Sequence, residues 1–152
     1  MANPALIILR TARHRYAARY DDLADMKMVP DCGVLHDAAQ FAQPCVGVEL
    51  GPLLDPADQS ALRRRHALLV PLRRRLVALL ADQVEGMLEH GGGEPLPALL
   101  RERLREPWAR GALQLGDELL IVLDLRAIAR SALLALSNQA DRKGNTSYAT
   151  GR

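Results

Sequence analysis

The most informative apolar pattern in the chain runs over residues 109–125, where A-R-G-A-L-Q-L and E-L-L-I-V-L-D-L flank the pair Gly116-Asp117. Two apolar runs around a Gly-X pair predict a two-residue hairpin, because glycine takes the positive φ that the tight turn requires. With Gly116-Asp117 as the whole loop, Leu115 faces Glu118, Leu113 faces Leu120 and Ala112 faces Ile121. One face then carries Leu113, Leu115, Leu120 and Val122, and the other Ala112, Leu119, Ile121 and Leu123. Both faces are apolar. The hairpin is therefore expected between two packed layers or inside a closed barrel, since an open sheet would leave one face in water.

Upstream, residues 5–11 and 15–20 read as two short strands around a turn at 12–14. The stretch 21–28 carries Leu23 and Met26 at helical or loosely twisted spacing and stops before Pro30. Residues 31–44 give no legible pattern, and C-V-G-V-E-L at 45–50 resumes a strand that Gly51-Pro52 breaks. Asp55-Pro56 has the form of an N-cap followed by proline at the first helical position, which predicts a short helix towards Arg65. Residues 66–72 and 75–81 read as two buried strands joined at 72–74, and 82–90 as an extended segment bending at Gly86. The triplet Gly91-Gly92-Gly93 is a flexible break, and residues 98–105 read as a helix closed by Pro107. After the hairpin, Asp124 can cap a helix whose apolar residues Leu125, Ile128, Ala129, Ala132, Leu133 and Leu136 share one face. From Asn138 the residues are polar and aperiodic, so 138–152 is expected to be a disordered tail behind a domain at 1–137. Roughly eight or nine short strands at close spacing, with small helices between them, predict a mainly β protein built of small barrels.

The 152 residues suffice for one domain with a real core, burying roughly 70% of the unfolded surface. Hydrophobic residues make up 49% of the chain but aromatics only 3%, so aliphatic side chains must supply that core. The net charge of +2 hides an asymmetry: residues 1–60 carry 5 basic and 8 acidic groups, 61–110 carry 10 and 6, and 111–152 carry 5 and 4. Two differently charged surfaces follow, rather than a uniformly basic one. Cys32 and Cys45 are too few for a disulfide framework, and no apolar run approaches the ~20 residues that span a bilayer. The chain is read as soluble and cytoplasmic.

Candidate chemistry is sparse. Phosphate-loop, dinucleotide and nucleophile-elbow patterns do not occur, and Ser60, Ser131, Ser137 and Ser147 have no base nearby in sequence. Catalytic residues and cofactors are expected to be none. Cys32, His36 and Cys45 have metal-ligand chemistry, but a fourth ligand would have to come from His14, His66 or His90, far away in sequence; a small buried cysteine beside a polar histidine is the reading kept. Asp21, Asp22 and Asp25 are read as an exposed turn. Arg63-Arg64-Arg65 and Arg73-Arg74-Arg75 make a basic β-barrel that binds nucleic acid the alternative. Against it, the aromatics needed for base stacking are scattered and the net charge is small, so a solvated basic surface facing an acidic partner is preferred.

Three stretches of the second half resemble the CheW-like domain, the adaptor module of bacterial chemosensory arrays. Residues 66–87 look like its hairpin followed by D-x-V-x-G, on Asp82, Val84 and Gly86. Residues 95–100 (P-L-P-A-L-L) are similar to its P-L-P-x-L-L turn, and 108–128 match its closing pattern at Gly111, Gly116, Asp117, Asp124 and Leu125. The first half agrees more loosely, through Tyr16-Ala17, Leu23-x-Asp25 and the V-E-L of 48–50, so the resemblance covers about residues 5–136. It implies two five-stranded SH3-like barrels on a common apolar core, one mostly from each half of the chain, with a C-terminal amphipathic helix. It also implies a non-enzyme without cofactor that couples a chemoreceptor tip to the regulatory domain of a histidine kinase. Leu23, Asp25, Leu35, Phe41, Val84 and Met87 are the contact residues expected on that basis. One departure stands out: the family's N-L-R-G motif before the strand at 45–50 is replaced by V-L-H-D-A-A-Q-F-A-Q-P-C, with Gln40 or Phe41 near the place of its arginine. That loss bears on coupling more than on the fold.

Overall fold

A computed structural model describes residues 5–29, 45–62, 64–88 and 108–150. Strand β1 (Leu6–Arg10) turns into β2 (Arg15–Arg19), and a 3₁₀ turn (Tyr20–Asp22) leads to β3 (Asp25–Val29). There follow β4 (Cys45–Glu49), helix α1 (Leu50–Leu54), β5 (Arg65–Pro71), β6 (Leu76–Ala81) and β7 (Gln83–Leu88). The hairpin β8 (Ala109–Leu115) and β9 (Glu118–Leu123) precedes helix α2 (Leu125–Thr150). Among the described residues these strands form a five-stranded sheet, β7-β1-β2-β9-β8, and a four-stranded sheet, β3-β5-β6-β4. The protein is mainly β, with two SH3-like sheets. Most neighbours are antiparallel, but β2–β9 and β4–β6 are parallel pairs.

Two-faced strands are explained by three apolar clusters among the described residues. Along β1, Ile7 and Leu9 enter a main cluster while Leu6 and Ile8 enter a second one. On β9, Leu123 joins the main cluster, with Ile121 packed against it, and Leu120 and Val122 join the second. In the other sheet Leu68, Val70, Val77 and Leu79 belong to the main cluster, and Ala67, Leu69, Ala78 and Leu80 to a third. The period of two in a strand thus sends alternate residues to a core shared by both sheets and to a core private to each. Helix α2 closes the shared core with Leu125, Ile128 and Ala129.

The central hairpin has the expected register: Leu115 pairs with Glu118, Leu113 with Leu120 and Ala112 with Ile121. Gly116, at φ 61°, provides the left-handed turn position. Asp124 caps α2, its Oδ1 accepting from the Ala127 N–H at 3.1 Å. Strands β5 and β6 turn where the sequence places them, with Pro71 opposite Leu76.

Several expectations are corrected. Residues 25–29, whose spacing left helical and loosely twisted backbone open, form a strand, because β5 supplies pairing partners from Leu69 to Arg65. The helix expected from Asp55-Pro56 is absent. Asp55 instead ends α1, its N–H bonding to the Gly51 carbonyl, and its Oδ1 accepts from the Ala57 N–H at 3.1 Å in a side-chain turn that competes with helix. The α2 backbone stays helical to Thr150, through residues read as a disordered tail; Gln139, Ala140, Arg142 and Lys143 are good helix formers. The four-stranded sheet is drawn mostly from the first half of the chain and the five-stranded sheet mostly from the second, with β1 and β2 crossing into the latter.

Two charged residues read as surface groups are buried. Arg65 is 3% exposed; its Nη1 donates to Glu49 at 2.7 Å and its Nη2 lies 3.4 Å from Asp82. Asp22 is buried beside Arg110, at 3.8 Å, and its Oδ2 has no hydrogen-bond partner. The segments 31–44, 89–107 and 151–152 lie outside the described residues, and with them Cys32, His36, the glycine triplet and the helix expected at 98–105.

Candidate functional site: a groove between the sheets

The β1–β2 turn, α1 and the β8–β9 hairpin meet around a groove of about 1190 Å³. Its apolar lining comes from Leu53 and Leu54 of α1, from Trp108 and from Leu119 and Ile121 of β9. All of these except Leu119 pack against the shared core, so the groove is a solvent-facing extension of that core. Leu119 is 58% exposed. Fully burying a leucine is worth roughly 1.5–3 kcal/mol, and a partner that covers Leu119 would gain the part of that its exposure leaves open.

The polar lining is held in place by crossing bonds. Asp58, 1% exposed, accepts from the Thr11 hydroxyl and, at 3.0 Å, from the Arg13 N–H, fastening the β1–β2 turn to the loop after α1. The loop can approach because residue 51 is glycine: a Cβ there would stand 2.5 Å from the Asp58 carbonyl oxygen. His14 Nε2 lies 2.9 Å from Asp55 Oδ2, and this bond holds the Asp55 carboxyl below its ordinary range. Burial, and then the charges of Asp58 and Asp55, push the Tyr16 phenol up to about 12, so it stays neutral. Arg15 donates to Glu85 from Nε at 3.0 Å and from Nη2 at 2.7 Å, and pairs with Glu118 through Nη1. Glu85 lies where the β1–β7 register slips between Ile8 and Leu9, a bulge that frees the residue from pairing. One guanidinium thereby ties β7 and β9 to β2, and its bonds to Glu85 raise its already high pKa further.

Among the described residues the lining includes no serine, threonine or cysteine. No cluster with metal-binding composition occurs among the described residues. No helix among them is long and apolar enough to cross a membrane.

None of the sequence-derived contact residues that are described lines this groove. Val84 and Leu23 are half-buried against the shared core, Asp25 is exposed at the start of β3, and Met87 is 53% exposed on β7. Leu35 and Phe41 lie outside the described residues. Sequence reasoning missed Leu53, Leu54, Trp108, Leu119 and Arg15. Only Leu119 carried a signal, as an apolar residue on a hairpin whose two faces are both apolar.

Two sheets around a shared apolar core, each with a further core of its own, make a family assignment testable, and residues 46–133 match the CheW-like domain. The chain belongs to the CheW-like domain family. Comparison with curated proteins finds no match. Among solved structures, the scaffolding protein TtCheW from Thermoanaerobacter tengcongensis is similar, with a TM-score of 0.57 at 13% identity, over 82% of this chain and 86% of that one. At that identity the likeness concerns the fold.

Proposed function

We propose that this chain is a non-catalytic, cytoplasmic signalling adaptor of the chemotaxis type, which couples a chemoreceptor to a histidine kinase through protein–protein contacts. Membership of the CheW-like family supports the class of function. The observation that carries the reading to a site is the groove itself, whose leucines and Trp108 continue the core outwards to the exposed Leu119. Such a surface suits the apolar face of an amphipathic receptor helix, with Arg13 on its polar flank. Met87 and Asp25, both exposed, are proposed as contacts of the kinase regulatory barrel, and Leu23, Val84, Leu35 and Phe41 belong to the same proposal.

The test is calorimetric titration of the purified chain with a chemoreceptor cytoplasmic hairpin and, separately, with a kinase regulatory domain. Leu119→Asp should weaken hairpin binding by roughly tenfold or more, about 1.4 kcal/mol, without moving the melting temperature. Undiminished binding by that variant would remove the groove from the proposal. Failure of the parent chain to bind either partner would remove the adaptor reading.

A further inference from the structure

A second concavity, of about 870 Å³, shares no lining residue with the groove. It forms where the β5–β6 turn meets the first turns of α2. The turn is closed by the Leu72 N–H donating to the Arg75 carbonyl at 2.8 Å, and it presents Arg73, Arg74 and Arg75 to solvent. Arg126 and Arg130, four residues apart on α2 and both exposed, line the same recess, with Leu72 and Leu133 beside them.

The recess gathers charge of one sign. Five guanidiniums line one concavity, and among the described residues no carboxylate lines it with them. Arg126 interacts with the charge of the buried Asp22, while Asp124 is engaged by Arg110 and by the cap of α2. A cation in the first turn of a helix is also of the unfavourable sign for the helix dipole, so Arg126 does not stabilise α2. Like charges gathered in one recess mark a surface completed by an opposite charge.

We propose that this recess docks an acidic, amphipathic helical segment of a protein partner, independently of whatever occupies the groove. Guanidiniums pair with carboxylates in bidentate fashion, and Leu72 and Leu133 offer contact to the apolar flank that such a segment carries. A nucleic acid fits less well, because among the described residues no aromatic side chain lines the recess to stack a base. The adaptor then has two faces, one apolar and one cationic, and each can be loaded without the other.

The probe is a labelled synthetic helical peptide with glutamates at i and i+4 and leucines on the adjoining face, followed by fluorescence anisotropy against the full chain. Binding should weaken as salt rises and fall roughly tenfold or more in R73Q/R74Q/R130Q, whose exposed substitutions leave the melting temperature unchanged. Leu119→Asp should bind the peptide like the parent. The reversed variant R73E/R130E should prefer the same peptide with lysine in place of glutamate. The proposal is overturned if the parent does not bind the peptide, if the arginine variants bind it equally, or if oligouridylate or phosphatidylserine vesicles bind through the same arginines more tightly than the peptide.

Discussion

Asp58 shows how much a single side chain can decide here. It joins the Thr11 hydroxyl and the Arg13 N–H to a loop more than forty residues away in sequence, and it does so against the bare face of Gly51. Asp58→Ala should cost about 1–3 kcal/mol in urea denaturation, because it leaves the Arg13 amide without its acceptor and the buried Thr11 hydroxyl with only the His14 carbonyl, at 3.2 Å. Gly51→Ala should cost a similar amount, about 1–3 kcal/mol, by driving a methyl into the Asp58 backbone; a calorimetric melt of that variant checks it. Asp22 behaves in the opposite sense. Burial pushes its carboxyl pKa up, with Arg110 pulling it back in part, so the native state holds its proton to higher pH than the unfolded chain does. Stability from this group is therefore present below the unfolded carboxylate pKa and lost as pH rises through the native one. Asp22→Asn should melt above the parent at neutral pH and converge with it in acid. Neither role was legible in the sequence, where Asp22 has the look of a turn residue and Asp58 of a helical one. What fixes each is a partner distant in the chain.

At the scale of elements, legibility follows range. The β8–β9 hairpin could be read down to individual pairs, because a two-residue glycine turn sets the register without outside help. The capped start of α2 could be read for the same reason. Residues 25–29 and 55–58 could not, since pairing with β5 and capture by Thr11 override their local preferences. Two substitutions one residue apart on β9 separate core from surface. Leu120→Asp should abolish the cooperative melt, by burying a carboxylate among Leu6, Ile8 and Val122, whereas Leu119→Asp should leave the melt intact and weaken helix binding in the groove. Circular dichroism melts of the pair decide whether β9 is placed correctly.

Over the whole molecule, the groove was illegible because it has no contiguous signature. Its lining is drawn from the β1–β2 turn, α1, β7 and the β8–β9 hairpin, and Arg15 meets Glu118 across 103 positions of sequence. The class of fold was legible, since two-faced apolar strands imply layers on both sides. The pairing of β1 and β2 with β7 and β9 was not, because sequence order suggests neighbours that the topology separates. The family motifs lie in the second half, where local turns dominate, and the groove takes its polar residues largely from the first.

The placement of β2 against β9 has a consequence for how the protein is made. The amino-terminal hairpin is the middle of its sheet, flanked by β7 on one side and by β9 on the other. While the ribosome is still translating, that hairpin waits with Ile8 and Ala17 uncovered until Leu120 and Val122 emerge behind it. Completion of this sheet therefore waits for β9, roughly a hundred residues behind the hairpin that it covers.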